Sequence, residues 1–163
     1  MCTRPPAVAV DSSRGIQQGL VMLKFLIAVD GSVHAKNAIE AVAALARASA
    51  QLEVILVNVR NDPIYYAELP PDALQELEAA VLTQQARVLQ EAAALARASG
   101  LTVSATRDPS GTEATEIVRA AEELGVDQIV MGTRGMGAIG GLFMGSVAQR
   151  VVHLAKTPVL LVK

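Results

Sequence analysis

The residues best suited to chemistry in this chain are Gly132-Thr133-Arg134-Gly135, followed after nine intervening residues by Gly145-Ser146. Glycines let a backbone turn sharply and approach a ligand closely, and a helix starting at the end of such a loop offers unpaired N–H groups and a positive dipole end. The arrangement therefore predicts an anion site, with phosphate as the natural occupant. Plainer roles fit the same residues. Gly135 and Gly145 also suit tight turns, Ser146 also suits a helix N-cap, and Arg134 suits a solvated surface charge as well as a phosphate contact.

Other chemistries lack their parts. Gly135-Met136-Gly137-Ala138-Ile139-Gly140 matches the dinucleotide fingerprint formally, but that site needs an acidic residue about twenty positions on, and no Asp or Glu lies between Gly140 and Lys163. No Walker A lysine with its Ser/Thr follows the glycines either. From Gly132 to Val152 there is no Asp, Glu or His, so the loop brings no general base and no acid to hold a metal; Asp30, from another strand, is the acid left to assist. His34 and His153 fall in predicted helices without a second ligand, and together with Cys2 they make no metal cluster. They read as structural or surface residues.

The elements that must position the loop follow an α/β pattern, short apolar runs alternating with longer helical ones. Strands are expected at Lys24 to Val29, Val54 to Val59, Leu101 to Ala105, Asp127 to Met131 and Pro158 to Val162. Asp30-Gly31-Ser32 closes the first strand, Ser32 being the N-cap of a helix that buries Ala35, Ala38, Ile39, Val42, Leu45 and Ala46. Asn58 is the one polar residue in an otherwise apolar central strand. Residues from Arg60 to Pro71 read as a loop able to fold over a site, and Asp72 as the cap of a long helix ending at Gly100. In that helix Leu74, Val81, Val88 and Leu95 recur every seven residues, but Gln84 and Glu91 beside them favour a sheet-packing helix over a coiled coil. Ser110 and Glu113 have capping-box spacing ahead of a helix burying Ile117, Val118, Ala121 and Leu124, and a last helix from Ser146 to Ala155 buries Val147, Val151 and Leu154. Residues 1–21, with Pro5, Pro6, Gly15 and Gly19 and no periodicity, read as a disordered tail; residues 22–163 read as a single domain.

Composition narrows the partners. A net charge of -2 and 2% aromatic residues without Trp supply neither the basic surface nor the stacking platforms that nucleic acids need. Lys24 interrupts the apolar stretch from Leu20 to Val29, so no run is long enough to span a bilayer, and Ala7 to Val10 is too short for the centre of a secretory signal. With one cysteine, in the terminal tail, a cytoplasmic protein is expected.

Gly132-x2-Gly135-x9-Gly145-Ser146, with Ala28-Val29-Asp30-Gly31-Ser32 opening the pattern, Gly125 to Gly132 entering the loop and Thr157 to Val162 closing it, resembles the ATP-binding branch of the universal stress protein family over Leu23 to Lys163. The resemblance implies an open five-stranded parallel sheet of order 3-2-1-4-5 with four helices on both faces, the adenine nucleotide alpha hydrolase-like architecture. It implies ATP as ligand, with Mg2+ as an optional companion of the phosphates. Asp30 is similar to the aspartate beside the adenosine, Val59 to the residue whose backbone meets adenine, and Gly132, Gly135, Gly145, Ser146 and Val147 to the ribose and phosphate loop. Asp30 alone would also suit a turn-shaping residue. One departure is Arg107-Asp108-Pro109-Ser110 before Gly111, where relatives run more smoothly into the third helix.

Three functions are consistent with these residues. A nucleotide-dependent switch in stress response or signalling is the expectation; a slow ATPase or nucleotidyl transferase would need a placed base, and a ligand-free dimeric scaffold would not need the glycines. In the implied strand order Pro158 to Val162 lies at a sheet edge, which predicts a homodimer through that strand.

Overall fold

Val, Ile and Leu fill the predicted strands almost without interruption, as strands buried on both faces require. The computed structural model, which describes residues 22–48, 51–61, 70–135 and 144–163, places them in one parallel sheet of order β3-β2-β1-β4-β5. The elements run β1 (Leu23–Ala28), α1 (Val33–Ala48), β2 (Leu52–Val57), α2 (Pro71–Ala98), β3 (Thr102–Arg107), α3 (Glu113–Leu124), β4 (Gln128–Gly132), α4 (Ser146–Leu154) and β5 (Val159–Val162). Alternate side chains divide the core. Ile27, Val54, Leu56 and Val130 pack under α1 and α2, while Leu26, Ile55, Val57, Ile129 and Met131 pack under α3 and α4. Complete burial of a Leu or Ile side chain stabilises by about 1.5–3 kcal/mol, so Leu26, Ile27, Leu56 and Ile129, each at most marginally exposed, anchor both layers.

The register levels the strand ends that matter. Ala28 pairs with Val57 on one side and Met131 on the other, so β1 and β2 stop in one row at their C-terminal ends and β4 runs one residue further, to Gly132. β1 and β4 are adjacent here although their chain connections leave in opposite directions across the sheet, which is the switch point where open α/β sheets form a crevice.

The helix ends correct several expectations. α1 is capped as expected, with the Ala35 N–H donating to Ser32 Oγ at 3.1 Å. α2 begins after Pro70, not at an Asp72 cap; Pro fits the first turn because its missing N–H would have no helical partner there, and Asp72 supplies first-turn charge instead. At its other end the N–H groups of Gly100 and Leu101 return to the carbonyls of Arg97 and Ala96 while Gly100 takes φ +86°, a Schellman turn. α3 is preceded by Thr112 and has no side-chain cap, so the Ser110–Glu113 capping box does not form. Ser110 is drawn away by a parallel bridge to Arg60, reinforced by Arg60 N–H to Pro109 O at 2.9 Å and Gly111 N–H to Arg60 O at 2.8 Å. The irregular run Arg107 to Ser110 thus prolongs the β2–β3 pairing. Leu45 and Leu154 are exposed rather than inward: the buried stripe of α1 is Ala35, Ala38, Ile39, Val42 and Ala43, and that of α4 is Ala148 and Val151. Val88 of the heptad positions in α2 is buried, and Leu95 packs beside it. Residues 1–21 and 62–69, and with them the tail and most of the loop expected over the site, lie outside the described residues. No described helix is long and apolar enough to cross a membrane.

Candidate functional site

A cleft of about 430 Å³ opens at the C-terminal ends of β1, β2 and β4, and every residue singled out above as nucleotide-binding lines it: Asp30, Val59, Gly132, Gly135, Gly145, Ser146 and Val147. Its floor is the levelled row Ala28, Val57 and Met131, with Ile117 of α3 as an apolar wall.

Asp30 follows β1 after a single residue, Val29. Its Oδ1 accepts the Ser32 N–H at 3.0 Å, an Asx turn that fixes the carboxylate in place and ends the strand. The other oxygen reaches towards Gly135, where a Cβ would come within 2.6 Å of Oδ2. Gly132 is equally constrained, since a Cβ there would lie 2.6 Å from His34 Cβ and 2.9 Å from the His34 carbonyl carbon. Glycine at this position lets the first turn of α1 sit on the end of β4, and His34 is a packing residue, its Nδ1 buried without a hydrogen-bond partner among the described residues. His153 is exposed.

Gly145 differs. A Cβ there would meet only ordinary contacts, Arg134 Cα and Thr133 O at 3.4 Å, so the protein's own packing leaves it room. Its N–H donates to Thr133 O at 2.8 Å, and the Thr133 N–H donates to Val162 O at 2.7 Å, tying the loop to β5. Gly145, not Ser146, is the N-cap of α4, with φ −63° and ψ 149° and no side-chain cap. Ser146 is the first helical residue. The N–H groups of the first turn have no acceptor four residues back, and the turn carries no acidic residue, so the positive end of the helix faces the cleft unneutralised by its own sequence. Arg134 lines the same end.

At the other end, Val59 stands just beyond β2, which stops at Val57 because Asn58 turns its side chain inward: Asn58 Nδ2 donates to Val29 O at 2.6 Å. The Asn58 N–H donates to Arg107 O at 3.0 Å and its carbonyl accepts from the buried Gln85 of α2 at 2.8 Å, so the floor beneath Val59 is locked on three sides. Sequence reasoning noted Asn58 only as an interruption; a lone amide in an apolar strand was the available signal. It also missed Glu113, which lines the cleft from the start of α3 and whose Oε1 accepts the Asn61 Nδ2 at 3.1 Å. Asp30 is therefore not the only acid brought to the site. Residues 136–143, including most of the formal dinucleotide fingerprint, lie outside the described residues.

An uncapped helix N-terminus, glycine backbone and Arg134 at one end, with apolar strand ends and fixed polar groups at the other, suit a ligand that is anionic at one end and flat and apolar at the other. Residues 22–163 match the Universal stress protein family. A universal stress protein of Thermus aquaticus is 41% identical over 143 residues, covering 85% of this chain and 96% of that protein. Among solved structures, the hypothetical protein MJ0577 of Methanocaldococcus jannaschii superposes with a TM-score of 0.73 at 28% identity, covering 88% of this chain and 97% of its own. A universal stress protein solved in complex with cAMP gives a TM-score of 0.60 at 26% identity, covering 86% and 96% of the two chains. In sequence span and strand order, this chain belongs to the universal stress protein family.

Proposed function

We propose that this chain binds ATP, or another adenine nucleotide, in the cleft at the β1–β4 switch point and acts as a nucleotide-dependent switch in stress response or signalling. The observation that carries the reading is the convergence of the uncapped α4 N-terminus with Gly135, Gly145 and Asp30 on one cavity large enough for a nucleotide. Phosphates lie against the first-turn N–H groups of Ser146, Val147 and Ala148. The base lies over the β2 end beside Val59. A relative at 26% identity binds cAMP, an adenine nucleotide, which supports the same class of ligand here. Among the described residues no cluster of acids, His or Cys is placed to hold a metal, so any Mg2+ would arrive on the phosphates.

Turnover is slow in this reading: Asp30 is held in its turn through Oδ1, and Glu113 is tied to Asn61 through Oε1 at the β2 end of the cleft. General base catalysis requires a group within hydrogen-bond reach of the attacking water at the phosphate end, whereas Glu113 enters from α3. The protein works in the cytoplasm as a homodimer, pairing its edge strand β5, whose outer side meets no other strand among the described residues, with that of a second copy. Mass analysis of the nucleotide released from the purified protein, with calorimetric titration and a phosphate-release assay, tests the reading. Bound adenine nucleotide with hydrolysis far below about 10 per second supports it. No nucleotide binding, or ordinary enzymatic turnover, overturns it in favour of a scaffold or an enzyme. A monomeric protein at micromolar concentration in light scattering overturns the dimer.

A further inference from the structure

We infer that Glu113 reads the nucleobase, its carboxylate accepting a hydrogen bond from the exocyclic amino group of adenine and so selecting an amino purine over a 6-oxo purine. The inference rests on the nucleotide reading of the cleft and adds a specificity residue to it.

Charge orients the ligand first. The phosphate end is marked by the α4 N-terminus and Arg134, while Glu113 enters from α3 and would repel a phosphate placed beside it. Position then places the base. Glu113 is bonded through Oε1 to Asn61, in the short segment that continues β2 past Val59, so the carboxylate stands at the β2 end of the cleft, near the apolar surface of Val59 and Ile117. A flat base seated there turns an edge towards the carboxylate.

Chemistry selects the edge. An ionised carboxylate only accepts hydrogen bonds, and among the described residues Oε2 has no hydrogen-bond or ion-pair partner, so the group facing it must donate. Adenine offers an amino group at position 6, where a 6-oxo purine offers a second acceptor. Opposed acceptors at a half-buried site are rejected more strongly than a missing contact, because neither group keeps its water. The Asn61 bond keeps Glu113 in one orientation, and the bridge between Arg60 and Ser110 fixes the segment on which both depend. The run Arg107 to Ser110, in prolonging the strand pairing, sets where α3 begins and thus where Glu113 stands.

The test measures ATP and ITP affinities by calorimetry for the parent chain, E113Q and E113A. The quantity read is the ratio within each protein, so a general loosening of the fold cancels. We expect the parent to prefer ATP by about tenfold or more, E113A to lose most of that preference, and E113Q, whose amide can donate or accept, to bring the two nucleotides within about threefold. An ATP-to-ITP ratio unchanged in both variants overturns the inference while leaving nucleotide binding intact. Titrations with 2′-deoxy and 3′-deoxy ATP give the second readout: if E113Q alters those ratios and not the base ratio, the carboxylate reads ribose and the inference fails. A parent chain that binds neither nucleotide overturns the nucleotide reading itself.

Discussion

Two helices begin at the same edge of the sheet, α1 after β1 and α4 after the loop that leaves β4, and they begin in opposite ways. The α1 terminus is closed by its own sequence: Ser32 Oγ takes the Ala35 N–H, Asp30 takes the Ser32 N–H, and the first turn is pressed onto Gly132. The α4 terminus starts from Gly145 with no side-chain cap and no first-turn acid. Ser, Asp or Asn would cap it better, so glycine leaves donors there that some other acceptor can use. The contrast separates glycines that hold the fold from glycines that leave room for a ligand, although all belong to one sequence pattern.

Substitution at Gly132 should break the closed terminus with the largest effect. Gly132→Val sets a branched side chain against the His34 backbone, and we expect a loss of about 3 kcal/mol or more in denaturant unfolding. A variant as stable as the parent would mean that α1 is not seated as described. Asp30→Ala comes next. It removes the carboxylate facing Gly135 and should weaken ATP binding roughly ten- to a hundred-fold in calorimetry, about 1.5–3 kcal/mol for a hydrogen bond to a charged group.

Gly145→Ser tests the open terminus in the other direction. The protein has room for the Cβ, and a serine N-cap occupies one of the N–H groups that the phosphate would use, so stability should stay within about 0.5 kcal/mol of the parent while ATP affinity falls about tenfold. Equal affinity would show that the donors are not engaged by the ligand. Ser32→Ala gives the smallest effect: about 1 kcal/mol of stability lost with the α1 cap, read by thermal melting, and ATP affinity unchanged within about twofold.

The same contrast explains what was legible in the sequence. Strands β1, β2 and β4 were legible because unbroken apolar runs of that length have few other destinations, and the loop glycines because their spacing constrains backbone whatever the surroundings, whereas Asp30, Val59 and Val147 were legible only through the family resemblance. The caps were less legible. Capping-box spacing at Ser110 and Glu113 is a local signal, and it lost to a non-local one, the pairing of Ser110 with Arg60 some fifty positions earlier in the chain. Glu113 was misread for that reason, since its role depends on which residue ends the β3 segment. The different duties of Gly132 and Gly145 were hidden for a similar reason: a Cβ at one would clash with His34, a Cβ at the other would meet only ordinary contacts, and spacing alone does not encode a neighbour.

The hydrogen bond from the Gly145 N–H to Thr133 O, at 2.8 Å, joins the two ends of the excursion that separates β4 from α4. In polymer terms that bond closes a ring in the chain, and the free energy of closing a ring grows only with the logarithm of its length, about 0.6 kcal/mol for each doubling. Residues inserted between Gly135 and Gly145 would therefore leave both anchors of the cleft where they are at small thermodynamic penalty. Closure alone therefore does not require nine residues between those glycines.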